Sequence, residues 1–237
     1  LYSSTTGASN VAIGYTALYN NTTANYNTAV GYQAGYAVTT SHDNVAIGYR
    51  SMYTQTDGGG GGGYNVAVGT LSMYTATGSN LVAVGAAAMQ YATTGAANTA
   101  IGDAALRYTT TGSYNTALGS SALFQNTTAS YNTALGHQAA YSSTGSYNTA
   151  VGQNAMYGSS ATGSSNTVVG TGDGSYNPPL YSLTSGAANV AVGNGAASST
   201  TTGTYNVALG RAALYYNTTG AGNIAVGYAA MYLAGTH

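Results

Sequence analysis

"YNTALGHQAAYSSTGSYNTAVGQNAMY", residues 131–157, states nearly the same phrase twice. Tyr-Asn-Thr-Ala-aliphatic-Gly begins at Tyr131 and again at Tyr147. With the final Gly as anchor, the phrase recurs at Gly14, Gly31, Gly48, Gly69, Gly85, Gly102, Gly119, Gly136, Gly152, Gly170, Gly193, Gly210 and Gly227. Most gaps are 16–18 residues, and two are 21 and 23. The unit reads N-[TV]-A-[VIL]-G-x-x-A-[LM]-Y, then a Thr/Ser/Gly-rich stretch, often with Tyr before the next Asn. About 17 residues is too short for a helical-hairpin repeat of roughly 33 or more. It matches one coil of a β-solenoid.

Each position has a physical reason. The residue before the anchor forms an aliphatic column: Ile13, Val30, Ile47, Val68, Val84, Ile101, Leu118, Leu135, Val151, Val169, Val192, Leu209 and Val226. Two residues earlier sits Val, Thr or Ile, and a period of two puts both on one strand face. Between them stands Ala, replaced only by Val168, which implies a face pressed against the opposite wall of a thin coil. Gly suits a bend or a positive φ, and stacked Asn residues form amide ladders. The Ala-Leu/Met-Tyr segment reads as a second short strand. An aromatic follows the anchor by five or six residues in every copy except the eleventh, which has Ser198. This ladder includes Tyr19, Tyr36, Tyr53, Tyr74, Phe124, Tyr141, Tyr157, Tyr215 and Tyr232.

Composition narrows the function classes. Of 237 residues only 3% are charged, against about 25% in an ordinary soluble domain. Lys and Glu are absent, and the net charge is −1. No steering field exists for nucleic acid or anionic lipid. Aliphatics at fixed spacing and 24 Tyr argue against disorder. A neutral surface with little self-repulsion suits an assembly better than a free monomer. There is no Cys to form disulfides, no apolar run long enough for a membrane span, and no recognisable signal peptide. The chain starts and stops within the repeat pattern, which reads as an excerpt of a longer fibrous protein.

"NVAIG" at residues 10–14 and 44–48 resembles the N-S-V-A-I-G phrase of head repeats in trimeric autotransporter adhesins. Similar longer repeats occur in phage tail-fibre-like proteins. The resemblance covers nearly the whole chain. It implies a parallel β-roll with three chains around one axis and the aliphatic strand facing that axis. Its functional implication is broad, because adhesins, phage fibres and other surface filaments share the motif.

Candidate chemistry is sparse. Stacking brings Asp103, Ser120 and His137 onto successive rungs of the column after the anchor Gly. A triad requires His between Ser and Asp, and here Ser is in the middle, so a solvent-facing column is the better reading. His42 and Asp43 are adjacent but lack a third metal ligand at suitable spacing. In a trimer, three His137 side chains facing the axis would form a ring able to hold an anion or metal. Gly58–Gly63 lacks the Lys-Ser/Thr of a phosphate loop. Asn20, Asn21, Asn126 and Asn217 form Asn-x-Thr sequons in expected loops, where the bland reading is turn chemistry. The aromatic column reads first as inter-coil stacking and second as a glycan-binding row.

The resulting expectation is an all-β parallel solenoid of about thirteen 17-residue coils, about 60 Å long at ~4.8 Å per coil. It forms a single repeat domain over residues 1–237, with insertions at 56–64 and 171–188, the latter protruding from the outer surface. The expected role is a structural segment of an extracellular, cell-surface or virion fibre that supports adhesion. Its expected partner is itself, as a homotrimer or axial or lateral polymer, with surface glycans as a second class. No catalysis, cofactor, metal or nucleic acid is expected. The rivals are a self-assembling surface or matrix filament and an ice-binding solenoid. The ice-binding reading is weakened by Val at the strand position that holds Thr in other copies, as in Val11 against Thr28.

Overall fold

The computed structural model describes residues 2–55, 63–158 and 161–233. The six-glycine insertion expected at 56–64 falls largely outside these residues. All regular structure among them is β, in thirteen three-residue strands. These are β1 (Val11–Ile13), β2 (Thr28–Val30), β3 (Val45–Ile47), β4 (Val66–Val68), β5 (Val82–Val84), β6 (Thr99–Ile101), β7 (Thr116–Leu118), β8 (Thr133–Leu135), β9 (Thr149–Val151), β10 (Thr167–Val169), β11 (Val190–Val192), β12 (Val207–Leu209) and β13 (Ile224–Val226). The chain divides into two compact units, Leu1–Asn115 and Thr116–His237. The first holds β1–β6 and the second β7–β13.

Each unit is a parallel β-solenoid. In the first, strands pair in sequence order with repeat-equivalent residues opposite one another, as in Val11↔Thr28, Ala12↔Ala29 and Ile13↔Val30. The second keeps the same register from Thr116↔Thr133 to Val207↔Ile224. Even the longest gap leaves Val169 opposite Val192. Backbone bonds run in both directions along the stack. Val11 N–H donates to Asn27 O at 2.8 Å, and Gly31 N–H donates to Ile13 O at 2.8 Å.

The middle residue of each strand faces the coil interior. Ala29, Ala67, Ala117, Ala134 and Val168 are fully buried. Their small size sets the thickness of the coil, because the opposite wall supplies the volume. That wall carries a column of large side chains, four residues after the anchor in most coils: Leu18, Met52, Met73, Met89 and Leu106 in the first unit, then Leu123, Met156 and Leu214 in the second, with Leu180 joining it ten residues after its anchor, all buried. Burying a Leu or Met side chain is worth about 1.5–3 kcal/mol relative to exposure. Large residues therefore stand on one wall and small ones on the other, a close-packed arrangement in a narrow core.

The Ala-Leu/Met-Tyr segment is not the second strand that its alternation implies. It is a run of turns. The residues two and four after the anchor adopt the left-handed conformation in coil after coil, as at Thr16 and Leu18 (φ 49° and 48°) and at Arg50 and Met52 (both φ 50°). Left-handed backbone costs a non-glycine residue about 1–2 kcal/mol. Inter-coil hydrogen bonds hold it there: Met52 N–H donates forward to Ser72 O at 3.0 Å, while Leu71 N–H donates back to Tyr49 O at 2.9 Å. Alternating handedness points successive amides up and down the stack, so the wall is bonded on both sides without being extended.

The anchor Gly is required twice over. Gly31 has φ 137°, and a Cβ there would lie 2.5 Å from the carbonyl oxygen of Gly48 in the next coil. The Asn of the phrase is buried and builds a ladder. Asn44 donates its backbone N–H and its Nδ2 to Asn27 Oδ1 at 2.9 and 3.0 Å. In the second unit the same pair of bonds links Asn166 to Asn148, Asn189 to Asn166 and Asn206 to Asn189. The remaining Nδ2 hydrogen donates to a carbonyl of the following bend, just before the next Asn, as Asn189 does to Gly203 O at 2.8 Å. Leu81 takes this position in the fifth coil, and its backbone N–H still donates to Asn65 Oδ1 at 2.9 Å.

Candidate functional site

Three surface features emerge from these coils: an aliphatic face, aromatic ladders and one cleft. The residues flanking each buried strand Ala point outward. Ala117 is fully buried, whereas its neighbour Leu118 is 43% exposed. Ile47, Ile101, Leu135, Val169 and Val192 are likewise exposed. The aliphatic column predicted from the sequence is therefore a row on the surface of each unit, flanked by the Val/Thr row two residues earlier. The second apolar face that a thin coil does not bury itself is this one.

The aromatic column stacks as expected within each unit. In the first, Tyr19, Tyr36, Tyr53 and Tyr74 lie 5.1–5.5 Å apart, with Tyr2 continuing the stack on Tyr19 at 4.9 Å. In the second, Phe124, Tyr141 and Tyr157 are spaced 4.9 and 5.2 Å. Near-parallel rings at this spacing add about 0.5–1.5 kcal/mol per pair beyond burial. A second stack, Tyr15–Tyr32–Tyr49, runs beside the first at 5.4 Å spacing. Arg50 places its guanidinium 5.3 and 5.2 Å from the Tyr49 and Tyr53 ring centroids and donates from Nε to Gln33 Oε1 at 2.8 Å.

A further row had no counterpart in the sequence reading. At the Thr-rich bend, each inner Thr hydroxyl donates to the carbonyl of its equivalent in the next coil. Examples are Thr77 to Thr93, Thr93 to Thr110 and Thr184 to Thr201, at 2.8–3.1 Å. Thr93 belongs to a "TTG" doublet, but Thr77 in "TATG" and Thr184 in "LTSG" do not, so only part of this row had a signal in the sequence.

The cleft arises where the repeat is longest. The next rung on the Tyr157 stack is Tyr181, at 5.8 Å, and Leu180 fills the buried Leu/Met column. "PLY" at residues 179–181 thus replaces "ALY". Leu180 follows its anchor by ten residues, where Leu214 follows by four, so the extra length lies wholly between Gly170 and Pro179. The interruption read as 171–188 narrows to 171–178, and the remainder is regular coil. Residues 171–177 are largely exposed.

This loop folds back over the next coil. Asp173 Oδ1 accepts from the backbone N–H groups of Ser175 and Tyr176 at 2.9 and 3.0 Å, an Asx turn. Its Oδ2 accepts from Arg211 Nη2 at 3.1 Å. The backbone N–H groups of Tyr176 and Ser175 foremost hold the Asp173 carboxyl below the usual carboxylate range; desolvation opposes them, and Arg211 adds a lesser lowering. The Arg211 guanidinium also lies 4.6 Å from the Tyr176 ring centroid. Tyr176 sits over Gly195, where a Cβ would fall 2.8 Å from its own Cβ, and meets Tyr215 edge to face at 5.1 Å. Coil eleven, with Gly195 and Ser198, is the copy without its own aromatic. Tyr176 borrows that space. Burial and the neighbouring Tyr216 and Tyr176 push the Tyr232 phenol up to about 12. Beneath the loop is a cleft of about 330 Å³ lined by Gln153, Asn154, Gly172, Ser175, Tyr176, Asn177 and Tyr215, among others.

The other candidates do not converge. Asp103 and His137 are exposed in the column after the anchor, and Ser120 is half-buried. Asp103 lies in the first unit and the other two in the second. His42 Nδ1 and Asp43 Oδ2 are 2.7 Å apart at the surface, and no group of three or more His, Cys, Asp or Glu side chains occurs among the described residues. Three sequon asparagines lie outside the strands and make turn bonds, as expected, but they are buried rather than exposed. The Nδ2 atoms of Asn21, Asn126 and Asn217 donate to Ala24, Ala129 and Gly220 carbonyls at 3.1–3.4 Å.

No protein-family model matches the chain, and no curated protein or solved structure shows significant similarity to it.

Proposed function

We propose that this chain is a structural segment of an extracellular or virion fibre, assembled with copies of itself and supporting attachment. The observation that carries the reading is the outward aliphatic row on each unit. Ile47, Leu118 and their equivalents repeat in strict register on an almost uncharged surface. Apolar rows of this regularity are matched best by another copy with the same spacing. Burial of such a face contributes about 25 cal/mol per Å² of apolar area. Three copies with these rows turned inward meet that demand symmetrically, as the resemblance to adhesin heads implies. Coil stacking makes stability nearly a sum of nearest-neighbour terms, so length scales with repeat number.

Attachment through such a segment rests on repetition. Rows of Tyr, Asn, Thr and Ser make weak contacts many times over, and multiplicity converts them to avidity. With so little charge, binding is nearly insensitive to salt. Mass measurement of the purified chain, with imaging of the particles, tests the proposal. Elongated particles with three chains per cross-section are expected. A stable, soluble monomer overturns the self-assembly reading. Ice recrystallisation inhibition at micromolar concentration assigns the Thr and strand rows to water ordering instead.

A further inference from the structure

We infer that the cleft beneath residues 171–178 is a binding subsite for a neutral sugar. Everywhere else in the two units the wall is repetitive. Here alone among the described residues an insertion, a skipped aromatic rung and a cavity coincide. The cavity, about 330 Å³, is at the lower end of the ~300–1,000 Å³ range of small-ligand sites. It is sized for a sugar ring.

The lining fixes the chemical class. Tyr176 and Tyr215 supply aromatic surface, and the C–H faces of a pyranose pack on such rings. Gln153, Asn154 and Asn177 supply amides that both donate and accept, the complement of a hydroxyl that does both. Asn154 Oδ1 has no hydrogen-bond partner in the fold, in contrast to ladder oxygens such as Asn148 Oδ1 and Asn166 Oδ1, which each accept two bonds. No charged side chain lines the cleft. The nearby charges, Asp173 and Arg211, are spent on each other at 3.1 Å. A phosphate, a carboxylate or a cation finds no counter-charge, while an uncharged polyol finds matching groups. The loop is held in place before any ligand arrives, by the Asx turn, the ion pair and the seat of Tyr176 on Gly195. A pre-formed loop lowers the ordering cost of binding.

This inference goes beyond the fibre reading and does not depend on it. Assembly is read by particle mass and sugar binding by ligand-observed NMR, so each can fail alone. The experiment is saturation-transfer NMR on the full chain with glucose, galactose, mannose and N-acetylglucosamine, and with sialic acid as the anionic comparison. Transfer to at least one neutral sugar is expected, unchanged between low and high salt. Tyr176→Ala, and separately the double variant Gln153→Ala/Asn177→Ala, should each weaken it about tenfold, the loss of one to two hydrogen bonds or a ring contact. Tyr131→Ala, in a different column, should not. The double variant alters only cleft-lining side chains outside the buried core, so it separates binding from folding. Absence of transfer to every neutral sugar, transfer to sialic acid only, or transfer that survives both cleft variants overturns the assignment.

Discussion

Asn44 hangs from Asn27 by two bonds to a single oxygen, its backbone N–H at 2.9 Å and its Nδ2 at 3.0 Å, with both residues buried. Its own Oδ1 accepts the backbone N–H of Asn65 at 3.1 Å. The rung therefore satisfies polar groups in three consecutive coils. Asn44→Ala should destabilise the chain by about 1–3 kcal/mol, because the buried Asn65 N–H loses its acceptor and Asn27 Oδ1 keeps only one of its two donors. Asn44→Asp should cost more at neutral pH, since a carboxylate brings two acceptors against Asn27 Oδ1 and no donor. Its folded pKa would be raised, so its stability deficit should shrink as the pH is lowered. Urea unfolding of both variants at pH 7 and pH 4 checks the order. Equal stability of wild type and Asn44→Ala would remove the ladder from the account of the fold.

Gly48→Ala should be far more damaging than a surface Gly→Ala change. Gly48 has φ 130°, and an added Cβ would lie 2.6 Å from the Gly69 carbonyl oxygen. Neither backbone strain nor clash can relax without parting two coils. A loss of about 3 kcal/mol or more is expected. Gly222→Ala, with no neighbouring atom within 4 Å of its added Cβ, should cost only the strain of its φ of 68°. Thermal melts followed by circular dichroism compare the two.

The columns were legible because a three-residue strand repeated thirteen times fixes both period and face. Val-Ala-Ile and Thr-Ala-Leu show large outward and small inward residues. The turn run after each anchor was not legible, because Ala-Leu-Tyr carries strand-like alternation. The left-handed φ values at Leu18 and Met52 come from bonds to the next coil, which local propensity does not encode. Tyr176 and Tyr181 illustrate the same limit. Counting six residues from Gly170 selects Tyr176 as the ladder rung, but buried Leu180 and stacking on Tyr157 select Tyr181. The cleft follows from the six extra residues between Gly170 and Leu180 relative to an ordinary coil, whose fold-back the repeat pattern does not encode.

Loop deletion tests this corrected boundary. Removing Asp173–Pro178 leaves Thr171 and Gly172 between Gly170 and Pro179, the spacing of an ordinary coil. Gly172 also tolerates the left-handed φ that this position adopts elsewhere. That deletion should preserve folding and assembly. Removing Asn177–Ser182 instead takes out Leu180 and Tyr181, and should cost about 2–5 kcal/mol from Leu180 alone. Similar melting temperatures for the two deletions would contradict the register drawn here.

The buried sequons predict a null result where the sequence alone invites a positive one. With Asn21, Asn126 and Asn217 pointing inward, Nδ2 is not available to an acceptor reaction once the coil has formed. Expression in a secretory host should give chains unmodified at these three positions by intact mass and peptide mapping. Efficient occupancy at Asn126, which is fully buried, would place that side chain outside the coil.

Asp173 gives the loop an acid limit. Its folded pKa lies below its unfolded value, because the Tyr176 and Ser175 N–H groups and Arg211 all favour the carboxylate. For a depressed carboxyl, the contribution to loop order is fully present above the unfolded pKa of about 3.9. It is lost as the pH falls through the lower folded value. The Tyr176 ring resonances should therefore hold constant from neutral pH down to about 4, and shift only below it as the Asx turn and ion pair are released together. Asp173→Asn keeps an oxygen acceptor for the two backbone donors but removes the charge facing Arg211. It should leave the Tyr176 resonances near their wild-type positions and abolish the acid step. A Tyr176 transition centred near neutral pH would show that another group controls the loop.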